Sequence, residues 1–66
     1  MQNKILRRNE VEKLTGLSRS TIYAMMKSGE FPRPIRLSAR AVGWMASDID
    51  AWLQNRLEQT ARRTIL

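Results

Sequence analysis

Residues 16–29, GLSRSTIYAMMKSG, constrain the fold more than any other stretch, because two glycines bracket one short helix. Gly16 is predicted to end a preceding helix, and Ser18 can cap the next one by accepting a backbone N–H bond. Gly29 is predicted to stop that helix, with Lys27 in the last turn, where a cation suits the helix dipole. The stretch therefore predicts a tight turn followed by a helix of about two and a half turns.

The two sides of this helix differ in chemistry. At about 100° per residue, Ile22, Met25 and Met26 share an inward, apolar face. The outward face is small, hydroxylated and basic, and consists of Ser20, Tyr23, Ala24 and Lys27, with Arg19 and Thr21 on its flanks. Such a face suits a DNA major groove, because hydroxyls can bond base edges and cations can meet phosphates. An ordinary solvated helix has the same composition, so the neighbouring segments must decide.

A first helix is predicted just before this stretch. Asn9 and Glu12 have the spacing of a capping box, although a start one residue earlier is equally compatible. Val11 and Leu14 would then face the core. Two short helices joined by a glycine-containing turn are typical of a helix-turn-helix, with Leu17 wedged between them. A helical hairpin without a DNA role has the same pattern.

After the second helix the sequence changes to an extended pattern. Pro32 and Pro34 cannot continue a helix, and the residues that follow alternate between apolar and basic. We predict a two-stranded hairpin of residues 35–37 and 42–44 with a loop at 38–41. Its predicted inner face consists of Ile35, Leu37, Val42 and Trp44.

Three arginines accompany this hairpin, with Arg33 on the approach, Arg36 on the outer face and Arg40 at the tip. A hairpin with arginine at its tip, next to a helix in the major groove, can reach the minor groove or nearby phosphates. One loop arginine would be unremarkable, but three on one ribbon favour a DNA-binding wing.

A third helix is predicted from Ser47, which has capping-box spacing to Asp50. Its apolar stripe consists of Ile49, Trp52, Leu53 and Leu57. Asp48 and Asp50 do not face each other on a helix, so capping explains them better than metal or acid–base chemistry. Trp44 and Trp52 lie on apolar faces, which favours packing in the core over stacking on single-stranded nucleic acid.

Charge and composition narrow the classes of function. The 66 residues contain 12 Lys and Arg against 6 Asp and Glu, a net charge of +6, which favours a polyanionic partner. The cations are spread over several elements, which disfavours a membrane-surface peptide. The chain contains no histidine or cysteine, and the hydroxyls of Ser18, Ser20 and Thr21 have no nearby general base, so we predict neither an enzyme nor a cofactor or metal site.

The length allows one small domain, which we place at residues 1–58, followed by a basic tail at 59–66. No apolar run approaches the roughly 20 residues of a membrane span. We therefore expect a soluble, cytoplasmic α+β protein with a small winged helix-turn-helix fold, in the order helix, turn, helix, two-stranded wing, helix.

Several segments of the sequence also resemble those of a known protein family. The segments GLSRSTIY, FP-P-I-L and R-VGW followed by S-IDAW occur in the order found in the AlpA family of prophage regulators. The resemblance runs from about Leu6 to Arg56. One departure is Asn9, where many relatives have proline at the first helical position.

The resemblance implies a transcriptional regulator of a prophage or mobile element that acts on integrase expression and binds double-stranded DNA. It assigns the recognition helix to Ser18, Arg19, Ser20, Thr21, Tyr23 and Lys27, and the wing to Arg36 and Arg40. Related excisionases bend attachment-site DNA instead, which is one alternative, and a small inhibitor of a protein partner is another. Further copies of the chain, integrase or RNA polymerase are the other expected partners. The effector domain of MerR-type relatives has no counterpart in the sequence, so we expect no small-molecule effector.

Overall fold

The computed structural model describes residues 4–64, of which 62–64 by their helical backbone alone. It has three helices and a three-stranded antiparallel sheet. The elements follow in the order β1 (Ile5–Leu6), α1 (Arg8–Thr15), α2 (Arg19–Lys27), β2 (Ile35–Ser38), β3 (Ala41–Met45) and α3 (Ala46–Thr64). The predicted α+β class is confirmed, whereas the two-stranded sheet was incomplete because β1 pairs with β3.

Helix α1 begins earlier than the capping-box spacing predicted. Arg7 precedes its first turn, and the Arg7 backbone N–H donates to Glu10 Oε1 over 2.9 Å. Asn9 consequently lies inside the helix, and Glu12 forms an ion pair with Arg8 instead of a cap. The predicted end is confirmed, since Gly16 has a φ of 75° and its N–H bonds to the carbonyl oxygen of Glu12.

Helix α2 begins and ends as the sequence predicted. The Ser18 Oγ accepts a hydrogen bond of 3.2 Å from the Thr21 backbone N–H, which satisfies one of the free donors of the first turn. After Lys27 the chain turns through Ser28 to Gly29, whose φ of 81° favours glycine. The inward face is also confirmed, with Ile22 fully buried and both methionines packed against the core.

The hairpin of β2 and β3 turns at Ala39 and Arg40, a shorter loop than predicted. Ile35 lies opposite Gly43 and Arg36 opposite Val42, with a bulge before Ser38. Since directly opposed residues share a face of an antiparallel pair, Ile35 and Val42 lie on opposite faces. The predicted inner face was therefore wrong for the first strand, where Ile35 is 38% and Leu37 43% exposed. Arg36 was predicted on the outer face, but the register places it on the same face as Val42, so that prediction was also wrong.

The core lies between the helices and the inner face of the sheet. It consists of Leu6, Val11, Ile22, Phe31, Trp44 and Ile49. Trp44 is fully buried, and its indole N–H donates to the carbonyl oxygen of Pro32 over 2.9 Å. The rings of Trp44 and Trp52 each meet Phe31 edge-on. Core packing of both tryptophans is thus confirmed, and this packing anchors the segment between α2 and β2.

Helix α3 follows β3 directly. Its first residue is Ala46, so Ser47 lies inside the helix and the predicted cap at Ser47 was wrong. The Ala46 N–H donates to the carbonyl oxygen of Lys4 over 2.7 Å. Leu57 was predicted in the apolar stripe but is 62% exposed, and Leu14 on α1 is 57% exposed. Neither residue belongs to the core cluster, so both predictions were wrong, and Leu14 instead lines an open cleft beside Leu6, Ile49 and Leu53.

The backbone of α3 continues without a break past residue 58 to Thr64. The division into a 1–58 domain and a 59–66 tail stays a prediction, and residues 65 and 66 lie outside the described part. Across residues 4–64, none of the helices has the length and apolar character needed to cross a membrane.

Candidate nucleic-acid interface

The outward face of α2 is open to solvent along its whole length. Ser20, Ala24 and Lys27 are exposed, and Tyr23 keeps 41% of its surface accessible. The residues predicted on the flanks of this face, Arg19 and Thr21, are also exposed, as is Ser18 before the first turn. This exposure follows from the burial of Ile22, which fixes the rotation of the helix against the core.

Arg19 and Tyr23 form a pair on this face. The Arg19 guanidinium carbon lies 5.7 Å from the centre of the Tyr23 ring, within the range of a cation–π contact. Such a contact at an exposed site contributes about 0.5–1 kcal/mol and reduces the number of rotamers that the arginine samples. Arg19 is therefore presented over the middle of α2 with its N–H groups available for an acceptor.

The hydroxyl groups at the start of α2 are partly engaged with one another. Besides accepting the Thr21 N–H, the Ser18 hydroxyl donates to Thr21 Oγ1 over 2.9 Å. A hydroxyl has one proton, and the Ser18 proton is used in the bond to Thr21. The Thr21 hydroxyl accepts that bond and keeps its own proton. Ser18 consequently orders the helix start. The Ser20 Oγ lies 3.4 Å from the Ser18 Oγ and can donate either to it or outward, whereas the Thr21 hydroxyl keeps its proton for an outward acceptor.

The hairpin presents its arginines in different ways. Arg40 is at the tip, where its backbone N–H donates to Ser38 Oγ over 3.3 Å. Arg36 lies opposite Val42 and so on the same side of the hairpin. Arg33 is exposed in the segment before β2. All three side chains are exposed, and each adds positive charge near the hairpin.

One cleft brings α2 and the hairpin together. It has a volume of about 460 Å³ and is lined by Arg7, Arg8, Asn9, Tyr23, Arg40 and Val42. We call it the arginine cleft. It joins the exposed face of α2, through Tyr23, to the hairpin tip, through Arg40, and Arg36 adjoins it through Val42. Lys27 and Arg33 do not line this cleft.

Arg7 and Arg8 line this cleft although the sequence pattern predicted no role for them. Their position directly before a predicted helix start was visible, but only the fold brings that start beside the hairpin. The contact is direct, since Arg7 Nε donates to the carbonyl oxygen of Val42 over 3.1 Å. Two adjacent arginines directly before the first predicted helix were the available signal.

The described residues contain no group of three or more potential ligands that could hold a metal ion. The fold and this face define a small α+β domain whose exposed helix and hairpin carry hydroxyls and arginines on one basic surface.

Comparison with known proteins gives the family. The family model described as Prophage CP4-57 regulatory protein (AlpA) matches residues 4–57. The chain is 36% identical over 59 residues to the DNA-binding transcriptional activator AlpA of Escherichia coli K12, across 80% of this chain and 84% of that protein. The chain belongs to the AlpA family, as the resemblance of its motifs predicted.

A second relative comes from a phage. Uncharacterized protein ORF88 of Enterobacteria phage P4 is 45% identical over 56 residues, which cover 85% of this chain. The alignment spans 64% of the phage protein, so the chain corresponds to a part of that relative's length. The family match ends at residue 57, and Leu57 on α3 is exposed.

Proposed function

We propose that this protein is a sequence-specific double-stranded DNA-binding regulator of a prophage or mobile element, acting on transcription of the integrase gene. In this proposal the domain is a winged helix-turn-helix, with α2 as the recognition helix and the β2–β3 hairpin as the wing. The observation that carries it is the arginine cleft, which joins Tyr23 of α2 to Arg40 of the hairpin. Membership of the AlpA family and the net charge of +6 support it.

The base contacts are assigned to the middle of α2. Ser20, Thr21, Tyr23 and Arg19 are exposed side chains with donors that a major-groove base edge can accept. Small neighbours such as Ala24 let the helix backbone approach the bases closely. Ser18 acts through the helix start, because its hydroxyl already bonds to Thr21.

The phosphate contacts are assigned to cations around this helix. Lys27 ends α2, whereas Arg33 and Arg36 belong to the hairpin and its approach, and Arg40 enters or borders the minor groove. Phosphate contacts fix the register of a protein on DNA, while base contacts give specificity. With about five phosphates neutralised, log affinity should fall against log salt with a slope near −4 to −5.

One module of this size makes few base contacts, so specificity is expected to come from several copies on repeated sites or from a neighbouring integrase or polymerase. A single isolated half-site bound as tightly as the natural region would contradict this part of the proposal.

The experiment that tests the function is a DNase footprint across the element's integrase gene and both attachment sites. Protection of the integrase promoter supports the regulator. Protection of repeats at an attachment site, with hypersensitive positions from bending, would instead identify an architectural excisionase. If no DNA is protected in low salt, the proposal fails and a protein partner for the basic face becomes the better account.

A further inference from the structure

The beginning of α1 contributes to the arginine cleft, although it belongs to neither the proposed recognition helix nor the proposed wing. Arg7, Arg8 and Asn9 line this cleft together with Tyr23 and Arg40. The lining therefore carries three arginines from two separate parts of the chain and no acid. This concentration of positive charge in one concave site is suited to an anion.

Arg7 is held in place at both its backbone and its side chain. Its backbone N–H bonds to Glu10, and its Nε donates to the Val42 carbonyl oxygen over 3.1 Å. A guanidinium has five N–H groups, so four remain after this bond. In the described part of the chain these four make no hydrogen bond, which leaves them for a ligand in the cleft.

Arg8 is half-buried and is fixed by a different contact. Its Nε lies 3.0 Å from Glu12 Oε2, one helical turn away on α1. This ion pair restricts the side chain without using the two terminal nitrogens of the guanidinium. Planar guanidinium forks of this kind match the oxygens of a phosphate group.

The shape of the site favours a phosphodiester on a surface over a small enclosed ligand. Arg7, Asn9, Tyr23 and Arg40 are all exposed, so the cleft is open along one side. An open, basic cleft between a helix and a hairpin can accept the backbone of a duplex that continues past the protein on both sides.

We propose that the arginine cleft binds one backbone phosphate of the duplex that α2 contacts, with Arg8 and Arg7 as its phosphate ligands beside Arg40. This proposal rests on the proposed DNA-binding function and extends it to α1. In this proposal the duplex contacts three elements, namely α1, α2 and the hairpin. The phosphate contact lies beside the recognition helix.

The test compares two variants. One changes the lining of the cleft at constant net charge, and the other changes the net charge outside the cleft. Arg8→Gln with Glu12→Gln empties the cleft of one guanidinium but leaves the net charge unchanged. Lys13→Gln lowers the net charge by one on the same helix, at an exposed position outside the cleft. Glutamine is a good helix former and an i,i+4 ion pair within one helix adds little stability, so both variants should fold, which thermal melts check.

Affinity for a fluorescein-labelled 30-base-pair duplex of mixed sequence is measured by anisotropy between roughly 50 and 200 mM salt. Losing one phosphate contact makes the slope shallower by about 0.9, so the paired variant should lose about threefold more affinity at the lower salt than at the higher. Lys13→Gln should keep the slope of the original protein. The opposite pattern, with an unchanged slope in the paired variant, would overturn the proposal while leaving DNA binding intact.

A further titration separates the sources of the phosphate. Inorganic phosphate, added at constant ionic strength, should not displace the duplex. Suppose that inorganic phosphate binds to the original protein, while the original protein and the paired variant bind the duplex equally. The cleft is then a site for the free phosphate ion, and the proposal is overturned. If the original protein binds no duplex in low salt, the DNA-binding function itself fails, which is a separate result.

Discussion

Tyr23, on the exposed side of α2, and Arg40, at the tip of the hairpin, line one cleft. Trp44 and Ile22, which are fully buried, hold β3 and α2 in the same core and so place these two parts of the chain at one cleft. A duplex that meets α2 would therefore also meet the hairpin tip. The proposed base contacts and the proposed backbone contacts therefore belong to different elements and can be tested separately by mutation.

The first prediction concerns the base contacts. Replacing Ser20 with Ala and Tyr23 with Phe removes two outward hydroxyls without removing a charge or a core contact. Affinity for a natural site should fall by about tenfold, since a lost base contact costs about 1–3 kcal/mol of discrimination. Affinity for mixed-sequence duplex should stay the same, because that binding depends on phosphates. Equal losses on both duplexes, measured by anisotropy, would mean that these hydroxyls do not read sequence.

A second prediction tests the bond between α1 and the hairpin. Arg7→Lys keeps the positive charge but lacks the Nε–H that bonds to Val42. Affinity for duplex DNA should fall about threefold, the equivalent of one modest hydrogen bond. The salt slope should change little, because the charge remains. Arg56→Lys is the matched control, since Arg56 lies on α3, outside the cleft and with no DNA contact assigned to it, and it should bind as the original protein does.

Ser18 should separate folding from binding. Ser18→Ala removes the acceptor of the Thr21 N–H and should lower the free energy of unfolding by about 1 kcal/mol. Ser18→Asp restores a capping acceptor and adds an acid to the first turn, which the helix dipole favours. Urea denaturation should therefore find the aspartate variant as stable as the original. Its affinity for DNA should nevertheless fall, since a carboxylate beside the duplex repels phosphates.

The fourth prediction concerns the buried indole. Trp44→Phe leaves a cavity and an unpaired carbonyl oxygen at Pro32, so the free energy of unfolding should drop by about 2–3 kcal/mol. Trp52→Phe also removes an indole bond, to Glu30, but Trp52 is only half-buried, so its loss should be about 1 kcal/mol. Equal losses in denaturant titrations would contradict the central place of Trp44 in the core.

A fifth prediction tests the strand that the sequence did not reveal. A Cβ at Gly43 would lie 2.6 Å from Ile5 Cγ2 and 3.1 Å from the carbonyl oxygen of Leu6. Gly43→Ala should therefore destabilise the fold by about 1–3 kcal/mol through overpacking against β1. Adding Ile5→Ala should restore part of that loss in a double-mutant cycle. Strictly additive effects would show that β1 does not lie against Gly43.

The elements that the sequence predicted well carry their own local signals. Gly16 and Gly29 adopt the left-handed backbone that favours glycine, and Ser18 caps α2, so both ends of that helix were determined locally. Burial of Ile22 followed from the helical period. The helical period also predicted which residues of α2 are exposed.

The errors occur where long-range pairing decides. Alternation in β2 does not say which face is covered, and the register with β3 leaves Ile35 and Leu37 on the outer face. Strand β1 has only Ile5 and Leu6, too few for a period, and exists because β3 offers a partner. The arginine cleft is likewise a product of the fold, since Arg7 and Val42 are far apart in the sequence.

The most direct test of the account is a ¹H–¹⁵N titration of the labelled protein with a short duplex in low salt. The account predicts that amide shifts change in three segments, at residues 7–9, 18–27 and 36–42, while those of α3 beyond residue 54 stay in place. Such a pattern would locate the duplex on α2, the hairpin and the start of α1. Shifts confined to α3, or no shifts at all in low salt, would contradict the central claim that this basic face binds DNA.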